Sequence, residues 1–115
     1  MSVIDMLPHG GNQSLSDVWK KNLNTTGGSS YTFTKDYKHV IVVFAAGSNV
    51  SDARTPTFTW SNVDELYTRY QDNNSGNGSA MLLIAEAWGV HAGSQWRLTA
   101  TPYNNQGTYI FAIGE

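Results

Sequence analysis

A chain of 115 residues fits one domain and no more, and at that length it buries roughly two-thirds of its unfolded surface, enough for a core without staples. Without cysteine it has no disulfide framework and no thiolate metal site. Its 7 Lys and Arg against 9 Asp and Glu leave a net charge of −2 and no basic stripe beyond Lys20-Lys21, which argues against nucleic acid as a partner.

Uncharged polar residues dominate instead. Gly, Ser, Thr and Asn fill 43 of the 115 positions and charged residues only 14%, against about 25% in ordinary soluble domains. Thr and aromatic residues favour strands, and Asn, Gly and Ser favour turns. The composition therefore points to a β-rich chain.

Met1–Gly11 has no apolar stretch behind a basic start, so no signal peptide is expected. Residues 1–29 read as an N-terminal arm or leader and residues 30–115 as the β-domain. Within the leader, Leu15, Val18 and Trp19 have helical spacing behind a Ser14/Asp17 cap signal, which predicts a short helix. The rival reading is an extended arm that docks Trp19. Asn24–Ser30 reads as a flexible connection.

Tyr31–Thr34 alternates aromatic and Thr positions as a strand, and Lys35–Lys38 turns. His39–Ala46 is a β-branched run apolar on both faces, the pattern of a central strand covered on both sides. After the polar loop Gly47–Arg54, Thr57–Trp60 is another strand. Val63, Leu66, Tyr67 and Tyr70 then fall at i, i+3, i+4 and i+7 behind Ser61 and Asp64, predicting one or two helical turns. Asp72–Ser79 is a loop. Ala80–Trp88 is a strand with Leu82, Ile84, Glu86 and Trp88 on one face and Met81, Leu83, Ala85 and Ala87 on the other. Gln95–Thr101 alternates cleanly, Thr108–Ile113 places Tyr109, Phe111 and Ile113 together, and Pro102–Gly107 reads as the hairpin loop joining them.

The sum is an all-β domain, mainly an antiparallel sandwich or small barrel of about six strands, with one or two short helices and no internal repeat. No apolar run approaches the ~20 residues of a membrane helix.

Motifs for chemistry are missing. The histidines, His9, His39 and His91, have no partner at metal-ligand spacing, and no G-x-S-x-G nucleophile elbow occurs. Asp72–Gly78 departs from a calcium loop, with Asn77 at the glycine position and Leu83 at the glutamate position. Glu86 is the most unusual acid because it interrupts an apolar strand; its expected role is to face solvent or pair with Arg97. The expectation is a non-enzyme with no catalytic residue, no metal and no cofactor. Two strands apolar on both faces need cover from the chain itself or from another subunit, so the candidate interface residues are Val40, Val42, Phe44, Leu82, Ile84 and Trp88. Tyr67, Tyr70 and Tyr103 are the candidates for stacking on a ligand such as a sugar.

A Trp-bearing leader runs into a Y-x-F-x-K-D-Y segment and a valine-rich strand (DVWKKNLNTTGGSSYTFTKDYKHVIVVF, Asp17 to Phe44). The chain closes with QWRLTATPYNNQGTYIFAIG, Gln95 to Gly114. This order resembles small β-sandwich structural proteins of tailed bacteriophages and prophages, the tail, baseplate or fibre components, from Asp17 to the C-terminus. The resemblance implies a non-enzymatic part of the virion, assembled in the host cytoplasm, often a trimer among other virion proteins, and sometimes a binder of a host receptor or surface glycan. It carries over no functional residue.

Overall fold

A computed structural model describes residues 15–23, 27–47, 57–73, 80–101, 103 and 105–114, the side chains of 23, 27, 70–73, 100 and 101 excepted. All regular elements among them are strands: β1 (Leu15–Leu23), β2 (Gly27–Thr32), β3 (Tyr37–Gly47), β4 (Phe58–Trp60), β5 (Val63–Asn73), β6 (Ala80–Val90), β7 (Gln95–Thr101) and β8 (Asn105–Ile113). Among the described residues no helix is long and apolar enough to cross a membrane.

The strands form two antiparallel sheets, a large one in the order β1-β8-β3-β6-β5 and a small one in the order β2-β7-β4. The first strand pairs with the last, the second with the seventh and the third with the sixth. Such nested pairing is a long hairpin wound into a roll, the jelly-roll arrangement of two sheets. β4 and β5, innermost in the nest, part company: β4 joins β7 and β5 joins β6. Only Ser61 and Asn62 separate them, and Asn62 turns the corner with φ 59°. Asn is among the few side chains that enter this left-handed region readily.

Both segments expected to be helical are strands. In β1 the register passes from Asp17↔Phe111 to Trp19↔Ile110, so Val18 is an extra residue. In β5 it passes from Thr68↔Ala85 to Tyr70↔Ile84, so Arg69 is the extra one. A bulge switches the alternation by one residue, which gives Leu15 and Trp19 of β1 their helical spacing; in β5 the spacing of Val63, Leu66 and Tyr67 precedes the bulge and arises because apolar residues sit on both faces, Leu66 opposite Ala87 and Tyr67 opposite Glu86. The Ser61 cap signal has another use as well. Ser61 N donates to Gln95 O at 3.0 Å, and its carbonyl accepts from Ser94 Oγ at 2.6 Å, fastening the corner to β7.

Residues 15–29 of the expected leader supply β1 and the start of β2 to the sheets. The extended-arm reading holds for Trp19, whose ring lies 5.3 Å from that of Tyr31. The expected hairpin between the last two strands is absent: β7 pairs with β2 and β4 in the small sheet, β8 with β1 and β3 in the large one. The connection crosses the sandwich, with Tyr103 fully buried on the way.

The core lies between the sheets. Val40, Val42 and Phe44 of β3, Met81, Leu83, Ala85 and Ala87 of β6, and Ile110 and Ala112 of β8 meet Trp96 and Leu98 of β7, Trp60 and Phe33. Phe33 stacks on Trp60 at 5.8 Å, whose Nε1 donates to Ser94 Oγ at 2.8 Å. A buried indole N–H thus finds the partner it needs.

Candidate functional site

Because β3, β6 and β8 send alternate residues inward, the residues between them form the outer face of the large sheet. Register puts Ile41 beside Glu86 and Phe111, Val43 beside Ile84 and Tyr109, and His39 beside Trp88 and Ile113. Ala45 and Leu82 continue the same rows. Ile41, Val43, Leu82, Ile84, Tyr109, Phe111 and Ile113 are each only half-buried. A two-layer sandwich normally keeps a polar outer face; here three adjacent central strands present an apolar one.

One charge sits within it. Glu86 Oε2 accepts from Arg69 Nε at 2.6 Å, and Oε1 accepts from Trp88 Nε1 at 3.0 Å and lies 2.7 Å from His39 Nε2. His39 stacks on Trp88 at 3.9 Å, and the Arg69 guanidinium covers the Tyr67 ring at 4.2 Å. The carboxylate is therefore clamped between two ring–cation or ring–imidazole pairs. The Arg69 hydrogen bond, aided by His39, outweighs desolvation and holds the Glu86 carboxyl below its ordinary value of 4.5. Glu86 is thus an ionised acceptor at neutral pH, and the stability it contributes is lost as pH falls through its lowered value. Its expected partner Arg97 lies on β7, in the other sheet.

The interface candidates divide by face. Leu82, Ile84 and Trp88 are on the outer face, Trp88 with 42% of its surface exposed. Val40, Val42 and Phe44 are fully buried in the core. β3 is apolar on both sides, so alternation alone leaves its orientation open, and its outward set is Ile41 and Val43. Of the ligand-stacking candidates, Tyr67 is 38% exposed beside Glu86. Tyr103 is buried, because its connection crosses between the sheets. Tyr70 pairs with Ile84 along the backbone, and its side chain lies outside those described. Ile41 and Val43 were not among the interface candidates, because alternation does not orient β3, and Phe111, placed on one face with Tyr109 and Ile113, was not assigned to an interface.

A second polar pair sits at the start of β5. Gly89 has φ 65°, and a Cβ there would overlap the Asp64 carboxylate. That close approach lets Asp64 Oδ1 reach His91 Nε2 at 2.8 Å. The Asp64 hydrogen bond raises His91 above its ordinary 6.5. A raised histidine contributes its stability below pH 6.5 and loses it as pH rises through the folded value. NMR titration of the imidazole should therefore place the His91 midpoint above that of a free histidine, and Asp64→Asn should lower it, with Asp36 still acting in the raising direction.

Comparison with family models, curated proteins and solved structures finds no match for the chain.

Proposed function

We propose that this chain is a non-enzymatic structural protein of a tailed-phage or prophage virion that works by self-association through the outer face of its large sheet. The observation that carries the reading is the half-buried apolar surface spread over β3, β6 and β8. Contiguous apolar patches of this kind mark protein contacts, and a charge already neutralised within the patch, as Glu86 is by Arg69, can enter an interface paired. The pattern-level likeness of the sequence to phage tail and fibre proteins adds to it, as does nested winding, a feature of viral capsid and lectin domains. Fold analogy is supporting context; the site is the argument. A trimer is the favoured assembly, located in the virion and placed to contact a host receptor.

The test is solution mass by light scattering on a sizing column over a range of concentrations. A trimer or larger species supports the reading, and a monomer at all concentrations removes it. A lectin-like reading has one observation in its favour: exposed Tyr67 and Trp88 flank a carboxylate acceptor, as sugar-binding platforms do. A glycan array without hits would end it.

A further inference from the structure

The large apolar side chains that stand exposed among the described residues are Leu15, Leu66, Tyr67 and Trp88, and they gather at two opposite sides of the large sheet. Leu15, 56% exposed, is on the edge strand β1; Leu66 and Tyr67 are on β5, the other edge strand, with Trp88 beside them on β6. Register puts the two sides at matching heights. One row across the outer face runs Leu15, Ile113, His39, Trp88, Glu65, and the next runs Asp17, Phe111, Ile41, Glu86, Tyr67. Each neighbouring pair in the sheet is antiparallel, so β1 and β5 run in the same direction.

The two edges are complementary in chemistry. On β1 the bulge packs both Val18 and Trp19 against the core, so the outer face has no side chain between Asp17 and Lys20. The gap is a cleft of about 310 Å³ with Tyr109 and Phe111 in its wall and Asp17 on its rim. Lys20 closes the far rim, one row on, at the height of Tyr70. On β5 the Tyr67 ring carries the Arg69 guanidinium at 4.2 Å. Glu86 engages Arg69 through Nε, and the other guanidinium N–H groups have no acceptor among the described residues. A ring bearing a cation therefore stands at the height of a cleft with aromatic walls and a carboxylate. Within one chain the two lie four strand spacings apart, roughly 19 Å, and a second copy supplies both halves at once. We infer that the chain associates head to tail, with Tyr67 and Arg69 of one copy entering the Asp17 cleft on β1 of the next, and Leu15 packing against Trp88. This rests on the self-association reading and assigns it an edge-to-edge contact. A heterologous contact of this kind closes a ring when the rotation axis runs along the strands, and the ring turns the apolar rows of β3 inward.

The experiment is disulfide trapping in the full chain, which has no cysteine of its own. Leu15→Cys and Glu65→Cys stand at the two ends of one row, too far apart to bridge within a chain, since a disulfide needs Cα atoms within about 7 Å. After oxidation the double variant should give bridged species larger than a dimer on a non-reducing gel, and each single variant nothing beyond a dimer. Asp17→Arg should raise the concentration for half assembly about tenfold, the loss of one charge-assisted contact. Absence of bridged species in the double variant, or an unchanged midpoint in Asp17→Arg, overturns the head-to-tail contact alone if light scattering under reducing conditions still shows an assembled mass. A monomeric mass for the parent overturns the contact and the self-association together.

Discussion

Ile84→Arg is expected to prevent the proposed self-association while leaving the domain folded. Ile84 lies near the middle of the apolar face, beside Val43 on β3 and opposite Tyr70 on β5. In the isolated chain it is only half-buried, so a long arginine can turn its head group into water. Inside an interface the guanidinium would be buried without a partner, a situation that costs about 3–5 kcal/mol. That corresponds to roughly two to four powers of ten in the association constant. Light scattering should show a monomer at concentrations where the parent is oligomeric, with an unchanged circular dichroism spectrum. Thr32→Arg, an exposed position on the outer face of the small sheet, is the control and should leave the mass alone. Retention of the parent mass by Ile84→Arg, or its loss in Thr32→Arg, would move the interface elsewhere.

Trp96→Ala should remove most of the stability of the domain. Trp96 is fully buried on β7, flanked in register by Tyr31 and Trp60, with its ring stacked 6.5 Å from Phe58. It is the point at which three strands of the small sheet share one side chain. Truncating a buried tryptophan costs about 3–5 kcal/mol through lost transfer energy and the cavity left behind, against a total of about 5–15 kcal/mol for a domain. Urea denaturation should show a midpoint far below that of the parent, or no folded baseline. Trp96→Phe is the informative companion. The indole Nε1 has no hydrogen-bond partner among the described residues, so phenylalanine also deletes an unsatisfied donor. That gain offsets part of the lost ring, and the variant should stay folded with a loss well below that of alanine. Equal losses in the two variants would mean that the ring contacts do not carry the small sheet.

The same principle explains which elements were legible in advance. β3, β6 and β7 announce themselves because each is a run of β-branched, apolar or cleanly alternating residues without interruption, and a period of two is a local property. β1 and β5 do not: in β1 Val18 breaks the period, and in β5 apolar residues on both faces, Leu66 and Tyr67, fall by chance at helical spacing. The hairpin expected between β7 and β8 fails for a different reason. A short polar connection suits either a hairpin or a crossing between sheets, and nothing within Pro102–Gly107 decides between them; burial of Tyr103 does.

The candidate face was half legible. Leu82, Ile84 and Trp88 were found because Ala80–Trp88 is apolar on both sides and a two-layer domain covers only one of them. On β3 both sides are equally apolar, so its orientation follows from the partner strands: Ala85 and Ala87 pair with Val42 and Val40, and together they enter the core. Glu86 was singled out by chemistry alone, while its true partners Arg69 and His39 lie 17 and 47 positions away and were brought to it by the pairing of β5 and β3 with β6.

Taken by itself, the amino-acid order determined the all-β antiparallel class, the central place of His39–Ala46 and the alternating faces of the strands on either side of it, because composition and period act within one segment. The tertiary structure alone decided the nested strand order, the bulges, the inward face of β3 and the clamp around Glu86. Each of these depends on which distant segment supplies the hydrogen bonds and the packing surface, and that choice is made only when the whole roll closes.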